Sequence, residues 1–367
     1  MSNVDILIRG CVILPMNGRG IIENGLIAIR GDRLVYVGRA AKAPRMRAEK
    51  VVDGRGKIAL PGLINGHTHL PMTLLRGVAE DQELSRWLSE TIWPLEAKLT
   101  PNDIYVGALL GCLELIKSGT TCFVDMYFHE DQVARAVEES GLRAVLSPGI
   151  LEVGDRERGE RMLREAVQLA QRLHGSADGR IQVRLGPHTL YTCSPELLRR
   201  VGEEASRLGL GIHIHLAESR EMADQIRRVY GMSEVELLGE LGLLGLDVLA
   251  AHCIHLSERD IQLMAEHHVK AVYNPISNMK VATGIAKIHN LKEAGVTVCL
   301  GTDGPASNNS LDMFEEMKVA ALLQKVSYMN PRVLPVRTVV ELATIEGAKA
   351  LGPVSYTHLT LPTTERV

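Results

Sequence analysis

Apolar and polar positions change rhythm once along this chain. From Val4 to Val52 the apolar residues fall in short runs of β character, DILIRGCVIL, LIAIRGDRLVYVG and EKVVDGRG, separated by Gly, Asn and Asp turn signals. These predict the hairpins of a small β-rich module. From Lys57 onward, strand-like runs alternate with segments whose apolar residues recur at i, i+3 and i+4 between charges, as in DQVARAVEESG and SPELLRRVGEEASRLG. The strand-like runs number eight: Ile58 to His67, Gly119 to Met126, Leu142 to Ile150, Arg180 to His188, Leu210 to Glu218, Asp247 to His255, Val269 to Ser277 and Gly295 to Gly304. Near-continuous apolar strands with helical crossovers imply a parallel sheet covered by helices. Eight such units over roughly 300 residues favour a closed barrel over an open doubly wound sheet. The expected fold class is α/β, a (β/α)₈ TIM-type barrel over residues 57–352, preceded by the β-rich module at 1–56. VRTVVELATIEGAKALG predicts the last helix. The Thr-rich PVSYTHLTLPTTERV that follows has no helical period, so 353–367 reads as a non-native or disordered tail.

The length of 367 residues and 46% hydrophobic content supply a core large enough for a barrel plus an appendage. Aromatic residues make up only 4%, so Val, Leu, Ile, Ala and Met must fill that core. A net charge of −3, without a long basic run, argues against a nucleic-acid partner. Cys11, Cys112, Cys122, Cys193, Cys253 and Cys299 are widely spaced and form no CxxC pair, which suggests neither a disulfide framework nor a Cys-rich zinc site. The amino terminus lacks a basic segment followed by a long apolar run, and no apolar stretch reaches membrane-spanning length. A cytoplasmic location and no membrane partner are expected.

Strand ends in a barrel point side chains into one shared mouth, so polar residues distant in sequence converge there. His67 and His69 end the first strand, His188 the fourth, His213, His215 and Glu218 the fifth, His252 and His255 the sixth, and Asp303 the eighth. A lone strand-end His is more often hydrogen-bonded and structural than a ligand, and HxH pairs also occur by chance on half-buried strands. The ordered recurrence across five strands outweighs chance and predicts a metal site. Imidazole and carboxylate without thiolate suit Zn²⁺ or Fe²⁺ better than Ca²⁺ or Mg²⁺. Three His and one Asp leave a position for water, as catalysis requires.

PGLINGHTH, HIHLAES, AAHCIHL and LGTDGPASNNS together resemble the methylthioadenosine/S-adenosylhomocysteine deaminase branch of the amidohydrolase superfamily, over nearly the whole chain to about Gly352. The resemblance implies that His67, His69, His215 and Asp303 hold one divalent metal per subunit, zinc first and ferrous iron as the alternative. It also makes Glu218 the proton shuttle and His252 the residue beside the attacking hydroxide, and it has Asp303 relay a proton to the departing amine. Protonating a ring nitrogen as the tetrahedral centre forms is the chemistry a carboxyl there supplies. The family places the metal on His215 and leaves His213 structural; His255 reads as structural too.

The segment RGVAEDQELSRWLSETIWPLEAKLTP is similar to the family's cover over the pocket. Glu96 matches a position that binds ribose hydroxyls, where a carboxylate can accept two hydrogen bonds, although a solvated helix residue is the plain alternative. His188 matches a position contacting the purine or its sugar. Trp87 packs either on the ligand or in the cap core. Homocysteine-accepting members carry an arginine where this chain has Pro148, so Arg161 or a neighbour in GDRERGERMLR becomes the candidate partner of a substrate carboxylate. That departure favours methylthioadenosine, deoxyadenosine or adenosine over S-adenosylhomocysteine.

Relatives also continue past the final barrel helix with strands that pair with the first module. This sequence lacks those strands, so a partial β-sandwich with open edges and lower solubility is expected. The activity implied is hydrolytic deamination of an adenine nucleoside, a small-molecule substrate, with self-association open. Removal of an amino group or chloride from guanine or a triazine, or an inactive truncated paralogue, are the alternatives.

Overall fold

A computed structural model describes residues 2–18 and 20–352, so the expected tail at 353–367 lies outside the described residues. The first module is a single sheet. Its central strand β1 (Ser2–Ile13) pairs antiparallel with β2 (Ile22–Arg30), which pairs with β3 (Arg33–Arg39), while β4 (Met46–Asp53) and β5 (Ile58–Ala59) run parallel to β1. The alternation of β1 and β2 sets up two apolar faces. Leu7 lies opposite Ala28 on one, where Val4 and Leu26 join them; Ile6 lies opposite Ile29 on the other, with Cys11, Ile13 and Ile27.

One expected strand, Ile58 to His67, is two. Ile58–Ala59 joins the first sheet, Pro61 interrupts the ladder because it offers no N–H, and β6 (Leu63–Thr68) then enters the barrel. The barrel continues through β7 (Thr120–Tyr127), β8 (Arg143–Ile150), β9 (Ile181–Val183), β10 (Gly186–Pro187), β11 (Ile212–Leu216), β12 (Val248–His252), β13 (Lys270–Tyr273) and β14 (Thr297–Leu300), all paired in parallel. The run Arg180 to His188 is thus split into β9 and β10, both on β8, and Leu185 between them bridges to Ile212 of β11. Past the end of β14, Asp303 N–H donates to His67 C=O at 2.9 Å, which closes the ring. A Cβ on Gly301 would sit 2.7 Å from the His67 nitrogen, so only glycine lets β6 and β14 approach so closely.

Helices cover the outside as their periodicity predicts. Ser194 caps Pro195–Leu208 by accepting from Leu197 N–H, and Gly209 ends it at φ 66°. The expected last helix is instead two, Val336–Leu342 and Ile345–Leu351. Thr344 breaks it with φ −131° and ψ −91°, its hydroxyl donating to the Val340 carbonyl at 2.6 Å. The turn carries Ala350 onto Val124, Val145, Leu249, Val272 and Cys299, a cluster drawn from five barrel strands. All six cysteines are buried and free, and among the described residues no single helix is long and apolar enough to cross a membrane.

Arg184, whose side chain is 6% exposed, donates to the Asp247 carbonyl at 2.8 Å and to its carboxylate at 2.6 Å. Arg184→Ala leaves the half-exposed Asp247 carboxylate with Lys270 alone and is expected to cost about 1–2 kcal/mol in urea melts while leaving metal content unchanged.

Candidate metal centre and catalytic pocket

The site grows from strand ends. His67 and His69 leave β6, His213 and His215 lie on β11, His252 ends β12, and Asp303 follows β14. The chain turns sharply at this rim: Ala217, His252, Cys253 and Asp303 all have left-handed φ values, 51°, 72°, 53° and 64°. Strained non-glycine residues persist where the surrounding packing over-determines them, commonly at functional sites.

The donor atoms converge. Asp303 Oδ1 is 3.2 Å from His67 Nε2 and 3.2 Å from His69 Nε2, and His69 Nε2 is 3.3 Å from His215 Nε2. A tetrahedron with metal–nitrogen bonds of about 2.0–2.1 Å has edges of about 3.3–3.4 Å, so these spacings suit one shared cation. His67 Nε2 is buried and lacks hydrogen-bond geometry to any partner, a polar atom otherwise costly to strand. The second ring nitrogens are held from behind. His69 Nδ1 donates to Met126 C=O at 2.5 Å, His215 Nδ1 to His188 C=O at 2.9 Å, and His67 Nδ1 meets His213 Nε2 at 2.9 Å. The residues present fit a divalent metal.

Electrostatics prepare the same donors. Burial pushes His67, His215 and His252 down, His252 to about 3, so their lone pairs are free at neutral pH. Burial alone would raise Asp303, but His67 and His69 outweigh it and hold the carboxyl well below its usual range. His69 runs the other way. Burial lowers it, yet the Asp303 hydrogen bond and charge carry it up to about 9. Below that pH a metal bound through His69 would have to displace its proton. Zinc uptake by metal-free protein at pH 7.5 is therefore expected to release about one proton, vanishing as the pH rises past 9; titration in buffers of different ionisation enthalpy reads the number.

An inner chamber is lined by His69, His215, His252, Glu218 and Asp303, with His188, Glu96 and Trp87 on its other walls. Glu218 is pushed up to about 8, first by burial and then by the Asp303 charge, and its Oε1 lies 3.6 Å from His252 Nε2. Burial also raises Glu96, against a pull from the Tyr127 hydroxyl. His188 is held down to about 3 by burial and donates to or accepts from Thr192 Oγ1 at 3.1 Å through Nδ1. Trp87 lines the chamber while its indole N–H holds the Ala79 carbonyl at 3.2 Å, so it both faces the chamber and ties down the cap. The chamber shares Trp93, Glu96, Tyr127, Phe128, Gly149 and Leu151 with an outer vestibule of about 550 Å³.

Of the alternatives open in GDRERGERMLR, the structure sets Arg161 aside in favour of a neighbour. Arg161 is exposed and lines neither space; Arg158 and Arg172 of the same helix, Arg156–Leu173, face the vestibule beside Pro148. His255 bonds the Thr283 carbonyl at 2.8 Å, away from the rim. Sequence reasoning missed Trp93, Tyr127, Ser277 and Ser307. The two serines donate to Asp303 Oδ2 at 2.6 and 3.1 Å. Ser307 follows Asp303 by one helical turn and Ser277 follows the end of β13, so the strand-end logic applied to Asp303 would have found both.

The model of the amidohydrolase family matches residues 58–355. The chain belongs to that family. It is 49% identical over 349 residues to the 5'-deoxyadenosine deaminase of Methanosarcina acetivorans, covering 95% of this chain and 80% of the relative. It is also 49% identical over 350 residues to the 5-methylthioadenosine/S-adenosylhomocysteine deaminase of Pelotomaculum thermopropionicum, with the same coverages of 95% and 80%. Among solved structures, the zinc-bound adenosine deaminase of Xanthomonas campestris superposes with a TM-score of 0.90 at 34% identity, covering 96% of this chain and 81% of that one. The barrel and its parallel strands are thus those of the amidohydrolase family.

Proposed function

We propose that this amidohydrolase is a metal-dependent deaminase of adenine nucleosides, converting them to inosine analogues and ammonia. One observation carries the reading: a buried Glu218 carboxyl, protonated below about pH 8, faces the same chamber as the His69, His215 and Asp303 donors. The names of the relatives and of the zinc-bound neighbour agree with it.

His67, His69, His215 and Asp303 would hold one divalent cation per subunit, zinc in preference to iron, since the structural neighbour contains zinc. When bound, that cation makes water a nucleophile at neutral pH. Glu218 delivers its proton to the ring nitrogen beside the amino-bearing carbon, drawing electron density from the carbon under attack. His252, neutral at pH 7, stands 3.6 Å from Glu218 and hydrogen-bonds the incoming hydroxyl. Asp303, ionised, accepts a proton and returns it to the nitrogen that leaves as ammonia. Glu96 accepts from the ribose diol at the passage to the vestibule, which has room for a 5'-substituent. Arg158 and Arg172, rather than Arg161, line the vestibule and are the candidate partners of a carboxylate on that substituent.

The test is ammonia release from methylthioadenosine, 5'-deoxyadenosine, adenosine, S-adenosylhomocysteine, guanine and a chlorotriazine, with zinc-loaded and fully chelated protein. Turnover of one or more adenine nucleosides by the loaded protein only is expected. Turnover confined to guanine or the triazine, or surviving complete metal removal, would refute the proposal.

A further inference from the structure

We infer that His213 is a positioning residue for the metal centre, setting which nitrogen of His67 carries the proton. The inference rests on the reading of His67 as a metal ligand and is independent of the substrate.

His67, His213 and Ser147 are each 0% exposed and form a chain of side chains inside the barrel. His67 Nδ1 lies 2.9 Å from His213 Nε2, and His213 Nδ1 lies 3.0 Å from Ser147 Oγ. The two rings meet edge to face, at 88° with centroids 4.9 Å apart. Strand geometry creates the arrangement. His213 and His215 alternate on β11 and share its inward face, and Ser147 follows Val145 of the interior apolar cluster by two residues on β8. The HIH spacing therefore serves two purposes, with His215 reaching the rim and His213 reaching the back of the His67 ring.

Proton counting gives the chain a direction. An imidazole that offers Nε2 to a cation must carry its proton on Nδ1. At His67 that proton points to His213 Nε2, which must accept it. His213 then keeps its own proton on Nδ1 and donates to Ser147 Oγ. The reverse order places a proton on His67 Nε2, facing Asp303 Oδ1 at 3.2 Å, and blocks the metal.

His69 and His215 have no such choice. Their Nδ1 atoms face the carbonyls of Met126 and His188, which only accept and so fix the protons there. His67 alone of the three depends on a partner that can either accept or donate, so its readiness for metal is decided at His213.

The test measures zinc affinity of the full chain by competition with a chromophoric chelator, and the absorption spectrum of the cobalt-loaded protein. Three variants are compared with the parent: His213→Leu, His213→Gln and Ser147→Ala. His213→Leu removes the acceptor and is expected to weaken zinc binding by about 10–100-fold and to shift the cobalt bands. His213→Gln places an amide oxygen where Nε2 stood, and should recover most of the affinity and the parental bands. Ser147→Ala removes the hydroxyl that accepts the His213 Nδ1 proton in the metal-ready order and should fall between them. Parental affinity in His213→Leu, or a His213→Gln as weak as His213→Leu, overturns the inference. If circular dichroism shows His213→Leu unfolded, parental affinity in Ser147→Ala overturns it instead. A parent chain that takes up no zinc refutes the metal reading itself, and the inference with it.

Discussion

Glu218→Gln is expected to lower turnover of the adenine nucleoside by about 10²–10⁴-fold while metal content stays at the parental level. The substitution keeps the volume of the side chain and removes only a transferable proton. The carboxyl stands 3.6 Å from His252 and is not among the side chains grouped closely enough to hold a metal, so metal binding should not depend on it. Proton delivery to the ring nitrogen matters only as the tetrahedral centre forms, so the loss should fall on kcat with KM little changed. Metal analysis and steady-state kinetics check both halves; turnover within about threefold of the parent would remove Glu218 from proton transfer.

The same substitution should stabilise the metal-free protein. The Glu218 pKa is raised from 4.5 to about 8 on folding, so between those values the unfolded chain has lost a proton that the folded chain keeps. That mismatch costs stability as pH rises from about 4.5 and levels off above about 8, reaching a few kcal/mol. Glutamine carries no such cost. The melting temperature of chelated Glu218→Gln should exceed that of the chelated parent by a margin that widens with pH, the opposite sign to its effect on catalysis.

The fold and the convergence of the donor side chains were legible because both rest on local periodicity. Alternation within each strand fixes which residues face inward, and a barrel then brings the strand ends together whatever their separation in sequence. That is why His67, His69, His215, His252 and Asp303 met as expected. Arg161 shows a register lost rather than a signal absent. Asp155 caps its helix by accepting from Arg158 N–H, and with that start fixed the 3.6-residue period places Arg158, Met162, Glu165, Leu169 and Arg172 along the vestibule, leaving Arg161 to solvent.

His213 is different. Its inward face was legible, but its partnership with His67 and Ser147 depends on how β6, β8 and β11 are staggered around the ring, which no single strand encodes. The break at Thr344 had no sequence signal beyond a threonine able to bond its own helix backbone, a feature many unbroken helices share.

Asp303→Asn should lower both zinc affinity and turnover, where Glu218→Gln lowers turnover alone. The left-handed backbone at this position, φ 64°, suits Asn, so the turn survives. What changes is charge. Asp303 Oδ1 sits 3.2 Å from both His67 and His69 and receives Gly304 N–H at 2.8 Å, while Oδ2 receives Ser277 and Ser307 hydroxyls. An amide supplies no anion to a divalent cation, and its NH₂ group must confront either those donors or the ring nitrogens. Zinc affinity should fall by about 100-fold or more. At saturating zinc, where affinity no longer limits, turnover should still be down by about 10³-fold because the acceptor and returner of the proton is gone. Without the carboxylate, His69 loses the partner that carries it up to about 9, so the proton released on zinc uptake at pH 7.5 should nearly disappear. Turnover within about tenfold of the parent at saturating zinc would show that another group moves the proton. An unchanged proton count would show that His69 is not the site of displacement.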